Sequence, residues 1–227
     1  MKKLLYILGL SIFLSACTIQ KNTSVPNYQL TDIKISPTNM ETPTPTQTPL
    51  AENITAVIKT NKGTMKVNLF PKIAPNTVRN FVELAKGTKV NPATDKLVSE
   101  KPFYDGLIFH RIIKGFMIQG GDPEGTGRGG PGYIVPAEIS SLHKRGSIAM
   151  ARLSDTVNPQ KDSSGSQFYI AQEDLPQLDG QYTVFGQIDA SDSASLKTLD
   201  TIATVATDSS DKPLENVTIQ SVIIEEK

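Results

Sequence analysis

Apolar residues are spread along this 227-residue chain in three regimes. Leu4–Leu14 is an almost unbroken apolar run behind Lys2 and Lys3. Residues 18–50 are dominated by Asn, Thr, Ser, Gln and Pro, and end in Thr42-Pro43-Thr44-Pro45-Thr46-Gln47-Thr48-Pro49. From Ile54 onward apolar positions recur at strand and helix periods. Ile54–Thr60 and Thr64–Phe70 flank Asn61-Lys62-Gly63 and predict a β-hairpin, which Pro71 to Pro75 ends. Asn76–Lys86 places Val78, Phe81, Val82 and Ala85 at i, i+3, i+4, i+7, an amphipathic helix with Gly87 as its C-cap. Thr88–Lys101 is polar and reads as an exposed loop. Leu107–Ile112 and Phe116–Gly120 read as strands around a turn at Gly115, followed by a glycine-rich loop over Gly121–Gly132. Ser147–Ala151, Gln167–Ala171 and Tyr182–Ile188 read as three more strands. Ser193–Ala203, with Leu196, Leu199, Ile202 and Ala203, predicts a second helix, and Val217–Ile224 a closing strand. Many short strands with two helices make the fold mainly β, a sandwich or a barrel, and the pattern leaves both open.

The N-terminal regimes do not belong to that fold. A basic head, an apolar run too short to span a bilayer, and the small residues Ser15–Ala16 make residues 1–16 a signal segment. Leu14-Ser15-Ala16-Cys17 resembles the lipobox of bacterial lipoproteins, in which the cysteine becomes the new N-terminus and carries a diacylglyceryl group. The resemblance implies lipid attachment at Cys17 and a membrane as partner, on the extracytoplasmic face. Residues 17–52 then read as a disordered tether, because such a composition buries too little surface to offset chain entropy. Its prolines favour polyproline II, and its roughly 33 polar residues at ~3.1 Å each would reach on the order of 100 Å. That length suits a Gram-positive wall, with an outer-membrane anchor as the alternative. Residues 53–227 form the folded domain.

Composition narrows the chemistry. Lys+Arg 23 against Asp+Glu 23 leaves no net charge, which argues against binding nucleic acid by phosphate neutralisation. Cys17 is the single cysteine, so the folded part holds no disulfide or cysteine metal site. With two histidines, His110 and His143, a zinc site is not expected either, and no cofactor is implied. Gly125-Thr126-Gly127-Arg128-Gly129-Gly130 matches G-x-G-x-x-G but precedes Pro131-Gly132 rather than a helix, so it reads as a surface loop. Ser147 and Ser166 lack a nucleophile elbow. His110, alternating with Ile108 and Ile112, reads as a core histidine with a local hydrogen bond. His143, in Ser141-Leu142-His143-Lys144-Arg145-Gly146, reads as solvated. Asp122, Glu138 and Asp179 are too scattered for a carboxylate pair. Arg111 remains: a charged fork inside an apolar run, where a guanidinium needs a partner or a task.

Phe109-His110-Arg111-Ile112-Ile113-Lys114-Gly115-Phe116-Met117-Ile118-Gln119-Gly120-Gly121-Asp122 resembles the signature of the cyclophilin peptidyl-prolyl isomerases. Ile148-Ala149-Met150-Ala151-Arg152, Ser164-Gly165-Ser166-Gln167-Phe168-Tyr169-Ile170 and Leu178-Asp179-Gly180-Gln181-Tyr182-Thr183-Val184-Phe185-Gly186 follow in the family's order. Ala74–Phe81 fits the family's first helix. The resemblance covers about Asn53 to the C-terminus. It implies a closed eight-stranded antiparallel β-barrel capped by two helices, with the active site on its outer face.

It also implies roles. Arg111 is the catalytic residue, with Phe116 beside it and Gln119 orienting its guanidinium. Met117 and Leu178 join Phe116 in lining the proline pocket, with Tyr169 at its base and Tyr182 where other members carry His. Ala151, Arg152 and Gln167 bind the substrate backbone and the residue before proline, Arg152 chiefly through its own backbone. The partners implied are proline-containing exported polypeptides, met by a monomer. Gln177 replaces a Trp that many members carry and that is associated with cyclosporin binding; Lys114 replaces a common Pro. Thr88–Lys101 and Ser154–Ser163 look like insertions. A binding module on the same fold, or an adhesion lipoprotein, would not need the Arg111 constellation, which favours catalysis.

Overall fold

The computed structural model describes residues 49–227. The signal segment, Cys17 and the tether through Thr48 lie outside the described residues.

Strict alternation shapes the first hairpin. In β2 (Gly63–Leu69), Met65, Val67 and Leu69 are buried while Thr64, Lys66 and Asn68 are exposed. β2 pairs along its whole length with β1 (Ile54–Thr60), joined by the two residues Asn61 and Lys62. Helix α1 (Pro75–Lys86) starts on a proline, whose missing N–H costs nothing in the first turn. Its own first turn holds no acid; instead Glu138 reaches from a distant loop and accepts from the N–H groups of Asn76 (3.0 Å) and Thr77 (2.8 Å). Gly87 ends the helix in the left-handed region at φ 70°, where a Cβ would stand 2.7 Å from the Lys101 carbonyl carbon.

Six further strands complete the sheet: β3 (Arg111–Ile113), β4 (Met117–Gly120), β5 (Ser147–Met150), β6 (Phe168–Ala171), β7 (Val184–Gln187) and β8 (Ile219–Glu226). Helix α2 (Ser193–Ala203) lies between the last two and is capped by Asp192, whose carboxylate accepts from Ser195 N–H at 3.0 Å. The strand order is β8-β1-β2-β7-β5-β6-β4-β3, with every pairing antiparallel.

The sheet curls but does not close. The expected closed barrel is an open half-barrel with β3 and β8 at its edges. β3 is only three residues long, and the expected strand over Leu107–Ile112 is irregular before Arg111. Leu107–Phe109 instead meets Val217–Ile219 through one isolated bridge, Ile108 to Thr218, flanked by a few backbone hydrogen bonds: Phe109 to Val217 at 2.9 Å, and Ile219 to Leu107 at 2.8 Å. A seam replaces a ladder. Thr88–Lys101 carries a small ribbon of its own, Val90–Asn91 against Lys96–Leu97.

Both faces of the sheet's centre are covered, which is why β5 and β6 are buried at every position. The inner face packs Ile112, Ile118, Ile148, Phe168, Ile170 and Phe185 against α1 and α2. Phe81 is the hub of an aromatic group there, with ring centroids 4.9 Å from Tyr104, 5.3 Å from Phe185 and 5.7 Å from Phe168. Leu50 and Ala51 also rest against this core. The opposite face carries a second, smaller cluster of Met117, Ala149, Tyr169 and Val184, edged by Phe116, Leu178 and Tyr182. Period two thus splits β4, β5, β6 and β7 between core and site.

Candidate active site

Register aligns the site. Arg111 on β3 stands opposite Gln119 on β4, Gln119 opposite Tyr169 on β6, and Tyr169 opposite Ala149 on β5. Above this row lies a pocket of about 140 Å³, bounded by Arg111, Phe116, Met117, Gln119, Ala151, Arg152, Tyr169, Leu178 and Tyr182. Nine of the ten residues named from the sequence therefore meet in one cavity. Gln167, the tenth, lines an adjoining groove of about 650 Å³ that shares Gln119, Ala151 and Arg152 with the pocket. Val157, from the Ser154–Ser163 segment, and Leu153 just before it are exposed residues lining that groove.

Two expected details are different. Gln119 makes no hydrogen bond to Arg111; its amide donates to Gln167 Oε1 at 3.0 Å, and Gln167 donates in turn to the Gly129 carbonyl at 2.8 Å. The acid that faces the Arg111 guanidinium is Asp211, with Oδ2 3.5 Å from Nε. The Gln119 amide is engaged by Gln167, whereas Asp211 comes to Arg111 from the far side of the seam. Arg152 likewise acts through more than its backbone. Its Nε donates to the Gln181 carbonyl at 2.8 Å, one terminal nitrogen pairs with Asp155 at 2.5 Å, and its guanidinium carbon sits 4.7 Å from the Tyr182 ring centre. With only 6% of the side chain exposed, Arg152 is a wall of the pocket.

The histidines also depart from expectation. His143 is not solvated: its side chain is wholly buried. Its neighbours turn outward, Lys144 to Asp174 and Arg145 to a bidentate pair with Asp200, while the imidazole turns in beneath the pocket. There Nδ1 lies 3.1 Å from Asp179 Oδ1 and Nε2 lies 2.8 Å from the Tyr169 hydroxyl. Burial lowers its pKa, opposed by Asp179. Burial likewise pushes the Tyr169 phenol up. His110 is buried as expected, but neither ring nitrogen finds a partner among the described residues, so the local hydrogen bond is not made. Burial lowers its pKa too, against Asp122. Asp122 itself organises the glycine-rich loop. Its carboxylate accepts from the N–H groups of Glu124, Thr126 and Gly127, so the loop's donors face inward rather than toward a ligand. Those bonds hold the carboxyl below its usual range although burial pushes it up.

A charged fork on the rim of a small pocket floored by apolar and aromatic side chains, among which no nucleophile stands beside a general base, suits bond rotation rather than group transfer. The family model for cyclophilin type peptidyl-prolyl cis-trans isomerase matches residues 55–224. The chain belongs to the cyclophilins. It is an enzyme of the peptidyl-prolyl cis-trans isomerase class. A probable peptidyl-prolyl cis-trans isomerase A of Mycobacterium leprae is 45% identical over 179 residues, covering 77% of this chain and 94% of the relative. Peptidyl-prolyl cis-trans isomerase B of Streptomyces anulatus is 42% identical over 179 residues, covering 78% and 99%. A crystal structure of a cyclophilin type isomerase from Cryptosporidium parvum, determined in the presence of the dipeptide Ala-Pro, superposes with TM-score 0.62 at 34% identity, covering 76% of this chain and 99% of that one. Within this cyclophilin, Gln177 is the exposed middle residue of the 3₁₀ turn Pro176–Leu178 and does not border the pocket. Asp211, His143 and Asp179 are the site residues that sequence reasoning missed.

Proposed function

We propose that this cyclophilin acts as a monomeric, lipid-anchored isomerase outside the cytoplasmic membrane, turning X–Pro bonds in exported polypeptides. Its folding task follows from the barrier. Amide resonance sets ~18–20 kcal/mol against rotation, and unaided X–Pro bonds flip in tens to hundreds of seconds. Every ~1.4 kcal/mol removed gives tenfold in rate.

One observation carries the reading of the site: the Arg111 guanidinium stands at the rim of a pocket with room for a single ring-sized side chain. Phe116, Met117, Leu178 and Tyr169 hold the proline ring there. Ala151 and Gln167 line the groove along which the substrate backbone would run, and Arg152 bounds the side toward the preceding residue. As the bond twists, the proline nitrogen regains a lone pair. Arg111 donates toward that nitrogen, so its interaction is stronger in the transition state than in the ground state. A planar, permanently charged donor suits this task because no proton has to move. Exchange spectroscopy on a short X–Pro peptide tests it: Arg111→Ala is expected to lose at least about tenfold. Activity equal to wild type would remove Arg111 from the mechanism.

The envelope assignment rests on the lipobox resemblance and on the Thr/Pro-rich segment, which suits a tether through a cell wall. Metabolic labelling with a radiolabelled fatty acid is expected to mark the wild type and not Cys17→Ser, and fractionation is expected to release that variant from membranes. Labelling of both would refute Cys17 as the attachment point.

A further inference from the structure

Beneath the proline pocket Asp179, His143 and Tyr169 form a chain of hydrogen bonds whose direction can be worked out. Asp179 Oδ1 accepts from the His143 backbone N–H at 2.7 Å and lies 3.1 Å from the ring Nδ1. An ionised carboxylate only accepts, so Nδ1 carries the proton. A neutral imidazole then presents a lone pair at Nε2, and the Tyr169 hydroxyl, 2.8 Å away, must donate to it. The rings of His143 and Tyr169 are within 5° of parallel, and Tyr182 stands edge-on to both.

This direction matters because the pocket floor is a phenol. Tyr169 is 4% exposed, so its hydroxyl has little access to water. Left without a partner it would carry the cost of a buried unpaired donor or turn its proton toward the bound ring. Held by His143, it leaves only the aryl body of Tyr169 facing the pocket. The same chain reaches a second wall. Asp179 directly follows Leu178, and the turn that carries Leu178 is tied to His143 again through Leu175 N–H, which donates to the His143 carbonyl at 2.9 Å.

We infer that His143 and Asp179 are positioning residues of the proline pocket: His143 holds the Tyr169 hydroxyl out of the cavity, and Asp179 locks the imidazole to the turn that carries Leu178. The inference rests on the isomerase reading of the same pocket, and its test has arms that do not depend on catalysis. Ring-nitrogen NMR of the purified protein is expected to show His143 protonated at Nδ1 alone at neutral pH. Affinity for an Ala-Pro-containing peptide, read from backbone amide shifts, is expected to fall about fivefold in His143→Asn, which keeps a donor for Asp179 and loses the acceptor for Tyr169. In exchange kinetics the same change raises KM and leaves kcat within about twofold. In a Tyr169→Phe background, where there is no hydroxyl to hold, His143→Asn is expected to cost less than about twofold. Asp179→Ala should weaken affinity about fivefold, and Asp179→Asn, with an acceptor at the same atom, should restore it to within about twofold. That pair lies on a partly exposed residue and carries the test should His143→Asn unfold. Equal costs of His143→Asn in both backgrounds, no rescue by Asp179→Asn, or a proton on Nε2 would overturn the inference. A wild type that binds the peptide but does not speed its exchange would refute the isomerase reading alone.

Discussion

Arg111 stands directly across the β3–β4 ladder from Gln119, yet the acid that meets its guanidinium is Asp211, across the seam. Both side chains of the pair are over two-fifths exposed, so the pair contributes little to stability. Its effect is on aim. Asp211→Gly, which suits the left-handed backbone there at φ 62°, is expected to lower kcat about threefold while the unfolding midpoint stays put, because one loosely aimed hydrogen-bond donor is worth about 1 kcal/mol or less. Exchange kinetics alongside thermal unfolding decide it; a shifted midpoint with unchanged kcat would make Asp211 structural instead.

Arg111→Lys retains the charge and loses the planar fork. If the donor geometry matters, activity falls at least about tenfold, close to Arg111→Ala. Recovery of near wild-type exchange rates by lysine would show that charge alone suffices.

Arg152→Ala removes a buried wall, its bond to the Gln181 carbonyl and its contact with the Tyr182 ring. Urea unfolding is expected to show a loss of about 1–2 kcal/mol, from packing, hydrogen bonding and a shielded cation–π contact together. KM should rise, since the pocket and the adjoining groove merge.

Stability should depend on pH well above the carboxylate range. His143 and His110 both have folded pKa values below the ordinary 6.5, in each case mainly through burial. Below about 6.5 the unfolded chain therefore binds more protons than the folded one. By linkage the unfolding free energy is full above that value and declines as pH falls through it. Denaturant melts at pH 7.5 and 5.5 check this. Equal stability at the two values would mean that the imidazoles are not buried neutral.

Glu138→Ala strips α1 of the two bonds to Asn76 and Thr77 at its N-terminus. The cost should be near that of losing an N-cap, ~1 kcal/mol, with kcat unchanged per folded molecule. Calorimetry on the variant measures it.

Much of this organisation was legible in the chain. Helix α2 has the bounds its apolar spacing predicts, and α1 stops at Gly87, because both are local patterns with local caps. The pocket was legible through motifs whose order matches a family. What escaped depends on partners distant in sequence. His143 sits among serine, lysine and arginine and carries no local sign of burial; its partners are 26 and 36 residues away. Asp211 belongs to a polar turn that gains meaning only when β3 lies beside it. Barrel closure is a question of whether two short, non-local edges find a common register, which period alone does not answer.

That open edge bears on how the enzyme meets a moving substrate. Gln119, Met117 and Tyr169 ride on strands laddered on both sides. Arg111 rides on a strand laddered on one side only, sewn to the rest by isolated stitches such as Ile112 N–H to the Asp211 carbonyl at 2.8 Å. The pocket thus has a floor held by ladders on both sides and a lip held by a ladder on one. On the proposed mechanism, the part with fewer ladder bonds holds Arg111, the donor that would follow the peptide plane as it turns, while the ring stays seated on the part with more.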